Sequence, residues 1–318
     1  MTVIPVCCVA FAGPSLPTQA ETLIAEGHWK RARDIVEPWH RAKPNDALAN
    51  FLLSQTRAAF GDRKSPLSFA ENAVRLDGNT AKYHRQVAEV AGVTAQYSGL
   101  LQQLLLAHRF KKEIEIALSL DPKDLQALRD LMEFYLLAPG VARGDKSKAR
   151  ATAERIAQLD AEEGYLALAR LAEFNKETGK EEVLLKQAVA AQPRSYKARI
   201  VLANYYFAAA HRPDLAEQQA REAQQIDAGR VEAYNVLAAA GAARGNWAEM
   251  EAVLASAEKA VPDDLTPYYR AAAAILEAHG DAPRAERLLR RYMAAEPEGN
   301  APTLDDARRE LARATGSG

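Results

Sequence analysis

Between Val231 and Asp264 the apolar positions of this chain fall into two helical stripes with a break between them. Tyr234, Leu237 and Ala238 share one helix face, Gly245-Asn246 interrupts it, Met250, Leu254 and Ala257 share a second face, and Pro262 ends it. The spacing predicts helix, tight turn, helix and stop within 34 residues. Ala238 and Ala257 are small enough to let the two helices approach closely, while larger neighbours fill the space around them.

The frame repeats. From Leu265 to Pro297, Tyr268, Ala271 and Ala272 precede Gly280-Asp281, and Ala285, Leu289 and Tyr292 follow. From Tyr196 to Ala228, Leu202, Ala203 and Tyr206 come before a turn at His211–Pro213, with Ala216, Ala220 and Ala223 after it. Residues 125–160 carry Leu128, Leu131, Met132 and Tyr135, then Ala149, Ala153 and Ile156. Near the start, Ala20, Leu23, Gly27-His28, Trp29, Ala32, Val36 and Pro44 repeat the pattern. Residues 165–193 fit with a second helix about three residues short. Residues 47–78 and 79–122 are degenerate, and the latter holds an insertion of about ten residues around Ala95–Gly99. A last amphipathic helix over Thr303–Ala314 places Leu304, Ala307 and Leu311 on one face and Asp305, Arg308, Arg309 and Glu310 on the other.

Such a unit cannot stand alone. Ordering 34 residues costs about 50 kcal/mol in conformational entropy at ~1.5 per residue. Offsetting that at ~25 cal/mol per Å² requires roughly 2,000 Å² of buried apolar surface, more than one helix pair can hide. Each unit therefore depends on its neighbours, and the stack curves because successive units rotate slightly.

Small residues near the middle of each helix, a Gly-centred turn and a closing Pro make this chain resemble the tetratricopeptide repeat (TPR) family over roughly residues 16–297, most strongly after 195. The resemblance implies an all-α, right-handed α-solenoid of about eight TPR-like helix-turn-helix repeats with a C-terminal capping helix. The repeats are expected at approximately 16–45, 46–78, 79–122, 123–160, 161–193, 194–228, 229–262 and 263–297, with the cap and tail in 298–318. It also implies a concave groove lined by the first helices, with Asn204, Asn235, Tyr269 and Arg270 on positions that face it. Asn can pair with a peptide backbone, Arg with a carboxylate, and Tyr offers a large contact surface. Ile200 and Thr266 stand where the carboxylate clamp of chaperone-binding TPR domains has lysines, so an EEVD-type tail is not the expected ligand.

Charge narrows the partners further. Lys and Arg total 41 against 42 Asp and Glu, a net charge of −1, so no global field favours nucleic acid or an acidic membrane. Val3–Ala12 is apolar, and Ala10-Phe11-Ala12 before Gly13 has the small-x-small form of a signal-peptidase site, although no Lys or Arg precedes Lys30. On that reading residues 1–15 are a signal-like segment and the protein is periplasmic or secreted; a disordered tail would leave it cytoplasmic. Cys7 and Cys8 lie in this segment, so a cleaved chain has no thiol chemistry. No later run is long enough for a transmembrane helix.

Candidate catalytic features are few. Pro139-Gly140-Val141-Ala142-Arg143-Gly144-Asp145-Lys146-Ser147 loosely echoes a phosphate-binding loop, but the spacing is one residue short and Asp145 would repel an anion. A lengthened turn with Asp145 or Ser147 capping the next helix is the expectation. His28, His40, His84, His108, His211 and His279 show no metal-ligand spacing, and His28, His211 and His279 fall at inter-helix turns. No nucleophile elbow or zincin motif occurs. No cofactor or metal is expected. The expected function is a non-enzymatic scaffold or adaptor that binds a protein or peptide in its groove. A repeat enzyme or its regulatory subunit, and a self-assembling structural solenoid, are the alternatives.

Overall fold

The computed structural model describes residues 15–140 and 144–316. The signal-like segment, both cysteines and the middle of the 139–147 loop lie outside the described residues. Among those described there are seventeen α-helices and no strand, and they form the right-handed TPR-type α-solenoid that the repeat pattern predicts. The helices run in antiparallel pairs: α1 (Leu16–Ala25) with α2 (Trp29–Ala42), α3 (Ala47–Ala59) with α4 (Pro66–Leu76), and α5 (Ala81–Ala95) with α6 (Leu100–Leu120). They continue with α7 (Leu125–Leu137) and α8 (Lys146–Leu159), then α9 (Ala161–Phe174) and α10 (Thr178–Ala191). The last pairs are α11 (Tyr196–Asn204) with α12 (Pro213–Ile226), α13 (Val231–Ala243) with α14 (Trp247–Ala260), and α15 (Thr266–Glu277) with α16 (Ala282–Met293). α17 (Leu304–Thr315) closes the stack, its start fixed by a capping box between Thr303 and Asp306.

Short polar residues start the first helices. Asp46, Asp124, Asp160 and Ser195 accept hydrogen bonds from the first-turn amides of α3, α7, α9 and α11. In six repeats the turn from first to second helix places one residue in the left-handed region. Gly27, Gly61 and Gly245 supply it in three repeats, at φ of 87°, 78° and 68°. Lys176, His211 and His279 fill the same place in three others despite their side chains, at φ of 60°, 53° and 52°. In the sixth repeat α11 runs on into a π-turn over Tyr205–Ala209 before the turn. α10 has 14 residues, the same length as α8, α12 and α14, which corrects the shortened helix expected there. Arg199 occupies a normally apolar position. It binds the Pro193 carbonyl at 2.7 and 3.0 Å and also reaches Gln219 and Glu222, fastening α11 to α12.

Gln96–Gly99 form the turn after α5, and the inserted length lies in the helix that follows. It extends α6 to 21 residues where the other long second helices have 14, an excess of about two turns or ~10 Å. Buried His84 fixes the base of this long hairpin. Its Nδ1 lies 2.6 Å from Glu113 and its Nε2 3.0 Å from the Gly78 carbonyl, while Arg109 meets the other oxygen of Glu113 at 2.8 Å.

The ends of the solenoid meet. Glu298, in the loop after α16, accepts the Lys30 backbone N–H at 2.7 Å and so caps α2, whose own N-cap residue His28 offers no side-chain bond. Arg33 grips Glu296 with two hydrogen bonds of 2.8 and 2.9 Å, and Arg31 reaches Asp263 at 2.6 Å. The Asn300 amide donates to the Ala59 carbonyl at 2.8 Å. Gly299 lies so close to Trp29 that a Cβ there would fall 2.6 Å from it. The chain thus closes one superhelical turn.

Candidate functional site

The first helices form the inner wall, and their ion pairs show how tightly it curves. Lys82 on α5 binds Glu21 on α1 at 2.6 Å, skipping a whole repeat, with its ammonium 5.3 Å from the Phe51 ring of the intervening α3. Further on, Arg129, Glu163 and Lys197 link α7, α9 and α11, and Arg170 grips Glu133 at 2.8 and 3.1 Å. Burial alone would raise the Glu163 carboxyl; hydrogen bonds from Lys197 and Arg129 overcome it and hold the group below the usual carboxylate range. Charges on the middle of the wall are therefore committed to one another.

The C-terminal third differs. Asn204 is exposed at the end of α11, and Arg270 is exposed on α15; neither has a hydrogen-bond or ion-pair partner among the described residues. Tyr269 is half-buried, its ring 5.5 Å from that of Tyr292, and the Arg270 guanidinium lies 5.9 Å from it. Burial raises the Tyr269 hydroxyl, helped by Glu310 and Asp306 of α17, so this residue sits against the capping helix. Asn235 is half-buried on α13, its Oδ1 enclosed with no hydrogen-bond partner among the described residues. The structure thus joins Tyr269 to Arg270, whereas no hydrogen bond or ring contact among the described residues links Asn204 or Asn235 to that pair.

Repeat periodicity did not reveal a second feature of the wall. Where α6 overhangs α7, a cleft of about 470 Å³ opens. Val93, Leu104, Phe110, Phe134 and Leu137 line it, with the two Phe rings stacked at 5.3 Å and 10°. Gly92 makes room for this stack, since a Cβ there would lie 3.1 Å from Phe110. Glu89, Asp130 and Glu133 form the other end. Burial pushes the Asp130 carboxyl up to about 6 despite Arg85, and the negative charge of Glu89 adds to the rise. Gln126 donates to Asp130 Oδ1 at 3.1 Å, while Oδ2 is enclosed with no hydrogen-bond partner among the described residues. On the opposite side of α6 a wider groove of about 940 Å³ runs beside Leu100, Leu101 and Leu105. Leu100 and Leu101 are each 76% exposed, so the helix extension stands bare on both sides.

The remaining sequence candidates are structural. Asp145 accepts from the Ser147 and Lys148 amides at 3.0 and 3.2 Å and caps α8, and Lys146 lies over the Phe174 ring at 4.8 Å. Tyr205 and Tyr206 are buried between repeats, their hydroxyls reaching the Thr178 carbonyl and Glu182 at 3.1 and 3.2 Å. Among the described residues no group of three His, Cys, Asp or Glu side chains could hold a metal ion, and no helix is long and apolar enough to cross a membrane.

No protein-family model matches the sequence, and neither does any curated protein. Solved structures match the fold. A thermophilic TPR protein of Thermus thermophilus is similar at 16% identity with a TM-score of 0.53, over 60% of this chain and 97% of that one. A tetratricopeptide repeat protein of Parabacteroides merdae is similar at 11% identity and a TM-score of 0.46, over 94% of this chain and 97% of that one. Yeast Tom70 is similar at 11% identity and a TM-score of 0.47, over 94% of this chain and 79% of its own. The fold is of the TPR type.

Proposed function

We propose that the protein is a non-catalytic scaffold that holds a protein or peptide segment against the inner wall of its closed solenoid. One observation carries this reading. On a wall whose central charges are tied up in ion pairs, Asn204 and Arg270 stand exposed with no hydrogen-bond or ion-pair partner among the described residues. Exposed polar groups on a rigid curved surface are suited to a peptide backbone and a carboxylate. The apolar Val3–Ala12 segment supports a place for this scaffold in the cell envelope.

The test is site-specific photo-crosslinking in cells, with the probe at Asn204, at Arg270, or at exposed Val183 on α10. A common partner captured from the first two positions and not from Val183 is the expected result. Arg270→Ala and Asn204→Ala should then weaken that partner's binding without moving Tm. Full binding by both variants would remove the inner wall from consideration. Tyr269→Ala is a poor substitute here, because it also strips Tyr292 of its ring contact. Fractionation of the same cells tests the envelope assignment, and finding the protein wholly in the cytoplasm would refute it.

A further inference from the structure

We propose that the cleft between the α5–α6 hairpin and α7 receives an amphipathic helix from a protein partner, one that sets a Lys or Arg one to two turns from its bulky apolar side chains. The inference rests on the docking role proposed above and gives the chemistry of the partner at one place on the wall. Both walls carry the same order of residues. On α5 the lining runs from Glu89 through Val93 to Gln96 just past its end, and on α7 from Asp130 and Glu133 through Phe134 to Leu137. Seven residues of helix span about 10 Å, the rise from i to i+7 on a docking helix. A helix laid along this cleft therefore meets carboxylates at one end and apolar side chains at the other.

The cleft is short of cations. Arg170 is bound to Glu133 and Arg85 pairs with Glu89 at 3.7 Å, which leaves three carboxylates to two arginines, and Asp130 has no ion pair within 4.0 Å among the described residues. A partner's ammonium or guanidinium beside the exposed Glu89 supplies the third cation that this acidic end lacks. Its apolar residues would cover Val93, Leu100 and Leu137, which the chain leaves exposed. Residues 1–14 cannot play this part, since they contain no Lys or Arg. A second copy is also a poor fit. The outer face of α6 does place Leu101 and Leu105 before Arg109, but that Arg is already held by Glu71 and Glu113.

The experiment pans a displayed library of random 16-residue peptides on the full chain, then measures synthetic copies of enriched peptides by fluorescence anisotropy. Enriched sequences should share a basic residue and apolar residues four and seven positions from it. Their Kd should rise about tenfold or more with Glu89→Lys and with Val93→Asp, both at exposed positions. Leu101→Asp, on the opposite face of α6, should leave it unchanged. Circular dichroism checks that all three variants fold.

Enriched peptides without the pattern, or indifferent to both cleft variants, overturn the inference. Should they respond instead to Arg270→Ala or Asn204→Ala, the docking wall survives and the cleft assignment fails. Absence of any selective enrichment counts against both. In sedimentation velocity, a dimer abolished by Val93→Asp would hand the cleft to a second copy and overturn the partner-helix inference.

Discussion

Repeats six to eight and repeats three and four share one unit, yet their interiors differ. In the C-terminal half one large core reaches from Leu166 to Ala307, with a small satellite of Tyr196, Ile200, Ala223 and Ala233 beside it. Between Ala20 and Ala167 the interior is divided into two clusters, one reaching from Ala20 to Tyr83 and the other from Ala88 to Ala167. The difference follows from phase. Where the period is kept, successive first helices can pack closely, as α13 does on α15, and small residues such as Ala216, Ala238 and Ala272 let the backbones close. The extra turns of α6 have no counterpart on α7, so they overhang and leave a cleft. An insertion that the backbone accepts as helix thus turns packing surface into binding surface.

The largest expected effect tests this contrast directly. Tyr234 is fully buried in the large core, and its hydroxyl donates to the Ala228 carbonyl at 3.0 Å. Tyr234→Ala should cost about 3–5 kcal/mol in urea denaturation. Phe110→Ala in the cleft removes a ring that is only partly covered, and about 1–2 kcal/mol is expected. Equal losses would mean that the cleft is closed in solution.

Asp130 comes next. Its folded-state pKa lies above its unfolded value, so its contribution is most favourable below about pH 4 and is lost as pH rises to about 6. Asp130→Asn should therefore stabilise the protein at pH 7 by on the order of 2 kcal/mol and give almost nothing at pH 4. A gain that persists at low pH would point to packing instead of charge.

Closure of the turn is the third comparison, because it joins the two regions at their far ends. Glu298→Ala removes the cap of α2 and should cost about 1 kcal/mol, with a larger radius of gyration in solution scattering. Unchanged scattering would show that Arg33 and Glu296 hold the ends together without it.

The smallest expected effect concerns the turns. His279 adopts a left-handed conformation that Gly adopts freely, and His279→Gly should raise stability by about 0.5–1 kcal/mol. In repeat three, whose turn has no left-handed residue, Ser98→Gly should give no gain. Differential scanning calorimetry separates the two.

The sequence by itself determined the repeat. Its 3.6-residue stripes, small residues at fixed offsets, capping Asp and Ser residues and turn glycines all act within about 34 residues of each other, so the helix pairs and their stacking could be read from spacing alone. It also placed Asn204, Asn235, Tyr269 and Arg270 on first helices, because a helical face is a local property. Tertiary structure alone decided which of them stayed free. Tyr269 went to the capping helix, and Lys30 and Arg33 found Glu298 and Glu296 across more than 260 residues. The same holds for His84 with Glu113, and for the acidic end of the α5–α7 cleft. Such pairings depend on the small rotation accumulated from repeat to repeat, which no single period records. An extra stretch of helix likewise announces its length in the sequence, but what it overhangs is known only once its neighbours are in place.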